Sequence, residues 1–323
     1  MRRREPARIP CGRKVMMKSK NTKGLLHRIW KGRYAYLFLL PLFAGLILFS
    51  YYPPVLGVYR SFFDWDGVKE GVFTGLDNYR KLFQDEVFLN SIPTMFKIMI
   101  PKLLIGIIVP LIMAEMIFSV RNKKYQSMYR VLILLPIVAP GIVGTLIWKN
   151  IFDPNGGLLT AILRALGILG EEQIVDWLGS VKTVIPSIIF MGFPWIGGTS
   201  VLIYMSGLMG ISQEVIEASR LDGCSTLKRI CFIDLPNIVG QIRYFLVFGI
   251  IGGLQDYSVQ IVLTQGRPGY ATYVPGYYMY LQAFTAGNMG YACAIGTVIF
   301  AVIALITALT FKLMNAGRFD VDS

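Results

Sequence analysis

The sequence predicts an all-α integral membrane protein with six transmembrane helices. Three observations carry that expectation. Only 16% of the 323 residues are charged and 54% are hydrophobic, whereas soluble domains carry about 25% charged residues. Long apolar runs recur along the chain, and at 1.5 Å per residue about 20 residues cross a hydrocarbon layer roughly 30 Å thick. The basic residues also fall unevenly on the connections between those runs.

The net charge of +13 is concentrated at the start of the chain. Residues 1–33 hold 12 Lys or Arg against one acid, Glu5, and the remainder holds 20 against 18 acids. Such a basic tail suits anionic headgroups on the cytoplasmic face. A nucleic-acid arm is the rival reading of the same charges. It is the weaker one, because the excess is not spread over a folded surface, and no nucleic-acid partner is expected. The resulting division is a basic cytoplasmic tail at 1–33, a membrane domain at 34–314 and a cytoplasmic tail at 315–323.

The first apolar run covers 34–52. A cleaved signal peptide is the alternative, but the run is long for that and lacks a small-x-small site. It ends in Tyr51-Tyr52-Pro53-Pro54, so an anchor is expected. A polar loop at 53–90 follows, placed outside by alternation. The second span, 93–119, carries Lys97 and Lys102 near its outer end, where long side chains reach headgroups, and Pro101 and Pro110, which predict kinks. Arg121, Lys123, Lys124 and Arg130 come next with no acid among them, which places this short loop inside. Glu115 is expected to pair with that basic loop, a transport role being the other reading.

The third span, 131–150, contains Pro136 and Pro140, which membrane helices tolerate when neighbours satisfy the freed carbonyls. The fourth, 183–209, holds Gly192, Gly197, Gly198 and Gly207, small residues that let helices approach closely. The fifth is 241–263 and the sixth 290–314. Inside segments hold 22 bases and outer loops 8; without the tail the balance is 10 to 8. The tail and the loop at 121–130 therefore set the orientation, with both termini cytoplasmic.

Between the fourth and fifth runs lies a short polar interlude, Glu217-Ala218-Ser219-Arg220-Leu221-Asp222-Gly223-Cys224, continuing to Ile233-Asp234-Leu235-Pro236. Ser212 can cap a helix there, with Glu214 in its first turn. Gly223 sits where a helix end wants positive φ. Ser225 can open a second short helix that Pro236 ends. Two short helices meeting at a glycine corner form a compact knob.

This run resembles the EAA loop of binding-protein-dependent ABC importer permeases. The match rests on Glu217, Ala218, Asp222, Gly223, Ile233, Leu235 and Pro236; Ser219, Cys224 and Ile230 depart from the pattern. The segment Phe73-Thr74-Gly75-Leu76-Asp77-Asn78-Tyr79 resembles the Phe-x-Gly-Leu-x-Asn-Tyr signature of the carbohydrate branch. Thr264-Gln265-Gly266-Arg267-Pro268 with Thr272, and Tyr280, Ala283 and Phe284, resemble two further stretches of the same family. The resemblance implies a permease subunit of the cell membrane that forms the path for a sugar or oligosaccharide. It would pair with a second permease subunit, rest on two cytoplasmic ATP-binding subunits, and receive cargo from an extracellular solute-binding protein. Glu217, Ala218, Ser219, Asp222, Gly223, Cys224 and Pro236 would couple it to the ATPase.

The chemistry present agrees. There is no G-x-x-x-x-G-K-[ST] loop, no H-E-x-x-H and no G-x-S-x-G, and the one histidine, His27, lies in the tail. The four cysteines show no metal or disulfide spacing. No catalytic residue, metal or cofactor is expected, and energy must come from another subunit. Asp256 is the charge that stands out. A carboxylate within a span costs about 2.5–3.5 kcal/mol on insertion scales, so a base, water or substrate hydroxyls should offset it. Gln255, Asp256, Tyr257 and Gln260 are the expected lining of the substrate path; a structural polar cluster is the other reading. Tyr277, Tyr278 and Tyr280 are expected in an outer aromatic belt. Another small polar solute as cargo, or a secondary transporter, are the alternatives.

Overall fold

The computed structural model describes residues 33–170 and 172–316. The expected basic tail lies outside them apart from Arg33, and so does all of the expected C-terminal tail beyond residue 316. The described residues divide into two compact units, with the boundary between Val55 and Leu56. In the first, α1 (Arg33–Gly45) passes into a π-helical stretch, Leu46–Tyr51. The wider π turn comes just before Pro53 and Pro54, whose rings would crowd the carbonyls four residues back in a regular helix. Helix continues as α2 (Tyr52–Arg60).

In the second unit a two-stranded hairpin, β1 (Phe63–Asp64) and β2 (Val72–Phe73), pairs antiparallel with Phe63 opposite Phe73. Helix α3 (Asp77–Gln84) follows. The Asn78 amide donates to the carbonyls of Ser61 and Phe63, each at 2.9 Å, and the Tyr79 and Ser61 hydroxyls lie 2.6 Å apart. The Phe-x-Gly-Leu-x-Asn-Tyr stretch thus pins the hairpin to the helix behind it.

Helix α4 (Glu86–Phe118) runs 33 residues, through Pro93, Pro101 and Pro110. It begins seven residues before the expected span because Asp85 caps it, accepting from the N–H groups of Val87 and Phe88. Ile100, Leu104, Ile108, Ile112 and Met116 are exposed at four-residue spacing, one stripe left for lipid or a protein partner. Met95, Met99, Ala114 and Ile117 are buried on the other side. Two core clusters divide along this helix. One gathers Met95, Met99, Ile188, Leu254, Val259 and Tyr277; the other gathers Ala114, Ile117, Tyr204, Leu208, Ile216 and Ile238.

Four helical stretches among the described residues are long and apolar enough to cross a membrane: Tyr36–Arg60, Glu86–Phe118, Val239–Thr264 and Met289–Lys312. The third expected span is a bent pair, Lys123–Val138 and Gly141–Ile151, turning by 85°. Its parts are α5 (Lys123–Leu134), a 3₁₀ turn at Leu135–Val138 and α6 (Gly141–Ile151). Ala139 is extended, φ −74° and ψ 132°, as a residue before proline prefers. The prolines here break the helix rather than kink it. Helix α7 (Leu158–Ala165) lies in the connection that follows.

The fourth expected span is likewise two short helices, α8 (Val184–Phe190) and α9 (Gly198–Leu208). The stretch between them holds Gly192, Pro194 and Gly197, residues that do not sustain a helix. Among the described residues, stretches long and apolar enough to cross therefore number four, or five if the bent pair is one span, where the sequence suggested six. The rest of the chain is α10 (Gln213–Leu221), α11 (Thr226–Arg229), a π-helical turn at Ile230–Asp234, α12 (Leu235–Asn237), α13 (Val239–Gln255), a π turn at Gln260–Thr264, α14 (Pro275–Phe284) and α15 (Met289–Ala316).

Candidate coupling knob and translocation cavity

The knob is built from local capping. The Ser212 hydroxyl accepts from the Val215 N–H and opens α10. At the other end the N–H of Cys224 donates to the Ser219 carbonyl at 2.9 Å and that of Gly223 to the Arg220 carbonyl at 3.1 Å. This paired closure is a Schellman motif, and it needs the left-handed residue that Gly223 supplies at φ +69°. Ser225 then caps α11 through the Lys228 N–H. The helix that the sequence ends at Pro236 stops one residue beyond it. The path continues past it to Asn237, because the π turn at Ile230–Asp234 again widens the helix ahead of the proline ring.

Glu217, Ala218, Asp222, Gly223 and Pro236 are exposed and Cys224 is half-buried. Ser219 is turned inward instead: it is buried, and its hydroxyl donates to the Ile216 carbonyl at 2.7 Å. Ile216 anchors the knob in the apolar cluster below. Large apolar side chains are also exposed on this segment, most of all Leu221 at 90%, Leu227 at 76% and Phe232 at 77%.

Asp256 sits where α13 stops. It is extended, φ −73° and ψ 121°, so the expected fifth span is interrupted at this residue. Its charge is offset from two sides. Lys102 Nζ donates to Oδ2 at 3.5 Å, and the Ser258 hydroxyl and N–H donate to Oδ1 at 2.6 and 3.1 Å. Lys102 therefore meets a carboxylate rather than reaching for headgroups.

The pair lines a cavity of about 230 Å³ with Met99, Leu103, Phe245 and Gln260. Gln260 is 2% exposed, and its side-chain carbonyl has no hydrogen-bond partner among the described residues. A second cavity of about 590 Å³ is bounded by Gln255, Asp256, Tyr257, Ser258 and the start of α6. The four expected path residues thus flank two neighbouring cavities, with Asp256 shared between them. A third space of about 310 Å³ lies against Lys102 and the broken stretch at Trp195 and Gly197. The first cavity is smaller than the roughly 300–1,000 Å³ of ordinary ligand pockets.

Asp85, at the start of α4, joins three elements. Its Oδ2 accepts from the hydroxyls of Tyr278 at 2.6 Å and Tyr291 at 2.7 Å. Tyr277 and Tyr278 are buried in the protein, so neither belongs to an aromatic belt. Burial raises the Asp85 carboxyl, but the two tyrosine hydroxyls and the Phe88 and Val87 N–H groups outweigh it and hold it below the usual carboxylate range. Its contribution is complete above about pH 4 and is lost as pH falls through the lowered folded value. Tyr278→Phe, which removes a hydrogen bond to a charged group, should cost about 1.5–3 kcal/mol. Thermal unfolding in detergent at neutral pH measures it, and the difference from the unmodified chain should shrink on acidification. The Thr264 and Thr272 hydroxyls, both buried and 2.9 Å apart, fold the Thr-x-Gly-x-Pro stretch beside this region.

Residues 89–317 match the family described as the binding-protein-dependent transport system inner membrane component. The chain belongs to this family. The permease is 30% identical to the probable ABC transporter permease protein YurN of Bacillus subtilis over 284 residues, covering 88% of this chain and 96% of that one. It is 28% identical to the diacetylchitobiose uptake system permease protein NgcF of Streptomyces coelicolor, covering 83% and 78%. It is also 28% identical to the multiple sugar-binding transport system permease protein MsmF of Streptococcus mutans, covering 85% and 92%. The fold matches a chain in the crystal structure of a bacterial alginate ABC transporter in complex with its alginate pentasaccharide-bound periplasmic protein. The TM-score is 0.77 at 24% identity, over 88% of this chain and 95% of that one. The permease is thus a multi-pass membrane component of an importer that works with a binding protein.

Proposed function

We propose that this permease forms half of the translocation path for a sugar or oligosaccharide, paired with a second permease subunit. Six passages cross the membrane, the bent pair and the broken fourth segment each counting as one, with both termini cytoplasmic. The basic tail at 1–33 and the end of the chain at 315–323 flank the membrane domain at 34–314. The knob at 212–236, between the fourth and fifth passages, seats in a cytoplasmic ATP-binding subunit; a second such subunit serves the partner permease. Glu217 and Asp222 orient the seat. Gln255, Asp256, Tyr257 and Gln260, with Lys102, line the path.

The observation that carries this reading is the exposed knob. Leu221 and Leu227 stand bare on either side of the glycine corner, and Phe232 on the π turn beyond it. A surface of that kind is costly unless a partner covers it. Sugar as cargo is supported by its similarity to NgcF, of a diacetylchitobiose uptake system, and MsmF, of a multiple sugar-binding transport system, and by a cavity whose polar groups, Lys102, Asp256 and Gln260, stand among apolar walls.

The test is a crosslinker at Asp222→Cys in cells carrying the whole transporter. Attachment to a nucleotide-hydrolysing subunit is expected, with a solute-binding protein and a second permease co-purifying with the tagged chain. Adducts with lipid or externally added reagent alone would sink the reading.

A further inference from the structure

A buried ion triad ties the knob to the long helix α4. Arg229 ends α11, and its Nε donates to Asp234 Oδ2 at 2.9 Å. Its Nη2 donates to the Ser119 hydroxyl at 3.4 Å and lies 3.8 Å from Glu115 Oε2. The guanidinium also covers the Phe118 ring, 5.7 Å from its centroid. The side chains of Arg229, Glu115 and Asp234 are 11%, 8% and 0% exposed. Glu115 does not meet the basic loop at 121–130, as the sequence suggested.

One cation here serves two buried carboxylates. Both oxygens of Glu115 and the Oδ1 of Asp234 have no hydrogen-bond partner among the described residues. Asp234 moves with Arg229, five residues away in the same segment. Glu115 belongs to another element. The contact between Arg229 and Glu115 is therefore the ionic joint between knob and helix. Ile216 and Ile238 also pack with Ala114 and Ile117 of α4, and the ion pair adds a directional contact to that packing. Opposite charges in a low-dielectric interior resist separation.

Helix α4 carries a second ion pair. Lys102 stands thirteen residues before Glu115, about 20 Å away along a continuous helix, and meets Asp256 at the cavity wall. The two pairs bracket the same stretch of α4.

We propose that Arg229 is a positioning residue for transport: through Glu115 it passes movement of the knob to α4, and so to the wall formed by Lys102 and Asp256. This rests on the knob being the seat for the ATP-binding subunit. Arg229 touches no cargo and no nucleotide.

The test uses the whole transporter in proteoliposomes, with binding protein and radiolabelled cargo. Three quantities are read: ATP-binding subunit retained, ATP hydrolysed, and cargo imported per ATP. Glu115→Gln, which keeps the shape and removes the ionisable carboxyl group facing Arg229, should retain the subunits and leave hydrolysis within about twofold, while cargo per ATP falls about tenfold. Arg229→Lys, which keeps the charge, should retain more coupling than Arg229→Met. Adding Glu115→Gln to Arg229→Met should cost little further, since both cut one joint. Unchanged cargo per ATP in Glu115→Gln, or a loss of uptake that only tracks lost subunit, would overturn the joint while leaving the seat intact. Failure of the unmodified chain to retain any ATP-binding subunit would overturn the seat, and the joint with it.

Discussion

Gly223→Pro is expected to leave the permease in the membrane and abolish coupled uptake. Space does not forbid the change, because no atom stands within 4 Å of where a Cβ would lie. The backbone does. Gly223 holds φ +69° and donates its N–H to the Arg220 carbonyl. Proline fixes φ near −65° and has no N–H to give. The Schellman closure must open, with a cost of about 3 kcal/mol, the scale of a misplaced proline. Leu221 and Leu227, both exposed, flank the corner that would open. Gly223→Ala keeps the N–H and pays only the left-handed penalty of about 1–2 kcal/mol, so it should retain part of the uptake. Membrane content, ATP hydrolysis and uptake are measured together. Normal coupled transport in the proline variant would contradict a rigid corner.

Asp256→Ala should lower cargo uptake by about tenfold to a hundredfold without loss of assembly. The substitution strands Lys102 and removes the acceptor for both Ser258 groups. Stranding a fully buried charge costs about 3–5 kcal/mol. Here the paired side chains are 31% and 40% exposed, so water takes back part of that and about 1–3 kcal/mol is the scale to expect. Lys102→Met together with Asp256→Ala separates the two roles of the pair. If Asp256 only neutralises Lys102, the double variant recovers transport. If the polar wall handles cargo, the double variant assembles well and still transports poorly. Concentration dependence of uptake reads the difference. Affinity and rate both unchanged in Asp256→Ala would remove Asp256 from the path.

The knob was the most legible part of the chain. Ser212, Gly223 and Ser225 act within a few residues of themselves, and each caps where its spacing suggests. Asp85 was equally local and was overlooked: an acid just ahead of Glu86 and an apolar run is an N-cap signal, and it moves the start of α4 outward. The prolines were harder. Pro101 and Pro110 sit inside a continuous helix, while Pro140 stands at a bend of 85°. The same residue type gives both outcomes, because neighbouring elements settle whether the lost hydrogen bond is replaced.

By itself, the sequence determined that this is a membrane chain, where its apolar runs lie, and that a capped glycine corner stands between two of them. Those properties depend on hydropathy over a helix length and on hydrogen bonds between near neighbours. Only the tertiary structure decided that Lys102 meets Asp256, 154 residues away, that Arg229 lies between Asp234 and Glu115, and that Ser219 points inward while Leu227 does not. Which charges pair across a bundle depends on how each helix is rotated and how deep it sits. Packing of whole faces sets both, and no short stretch of sequence records them.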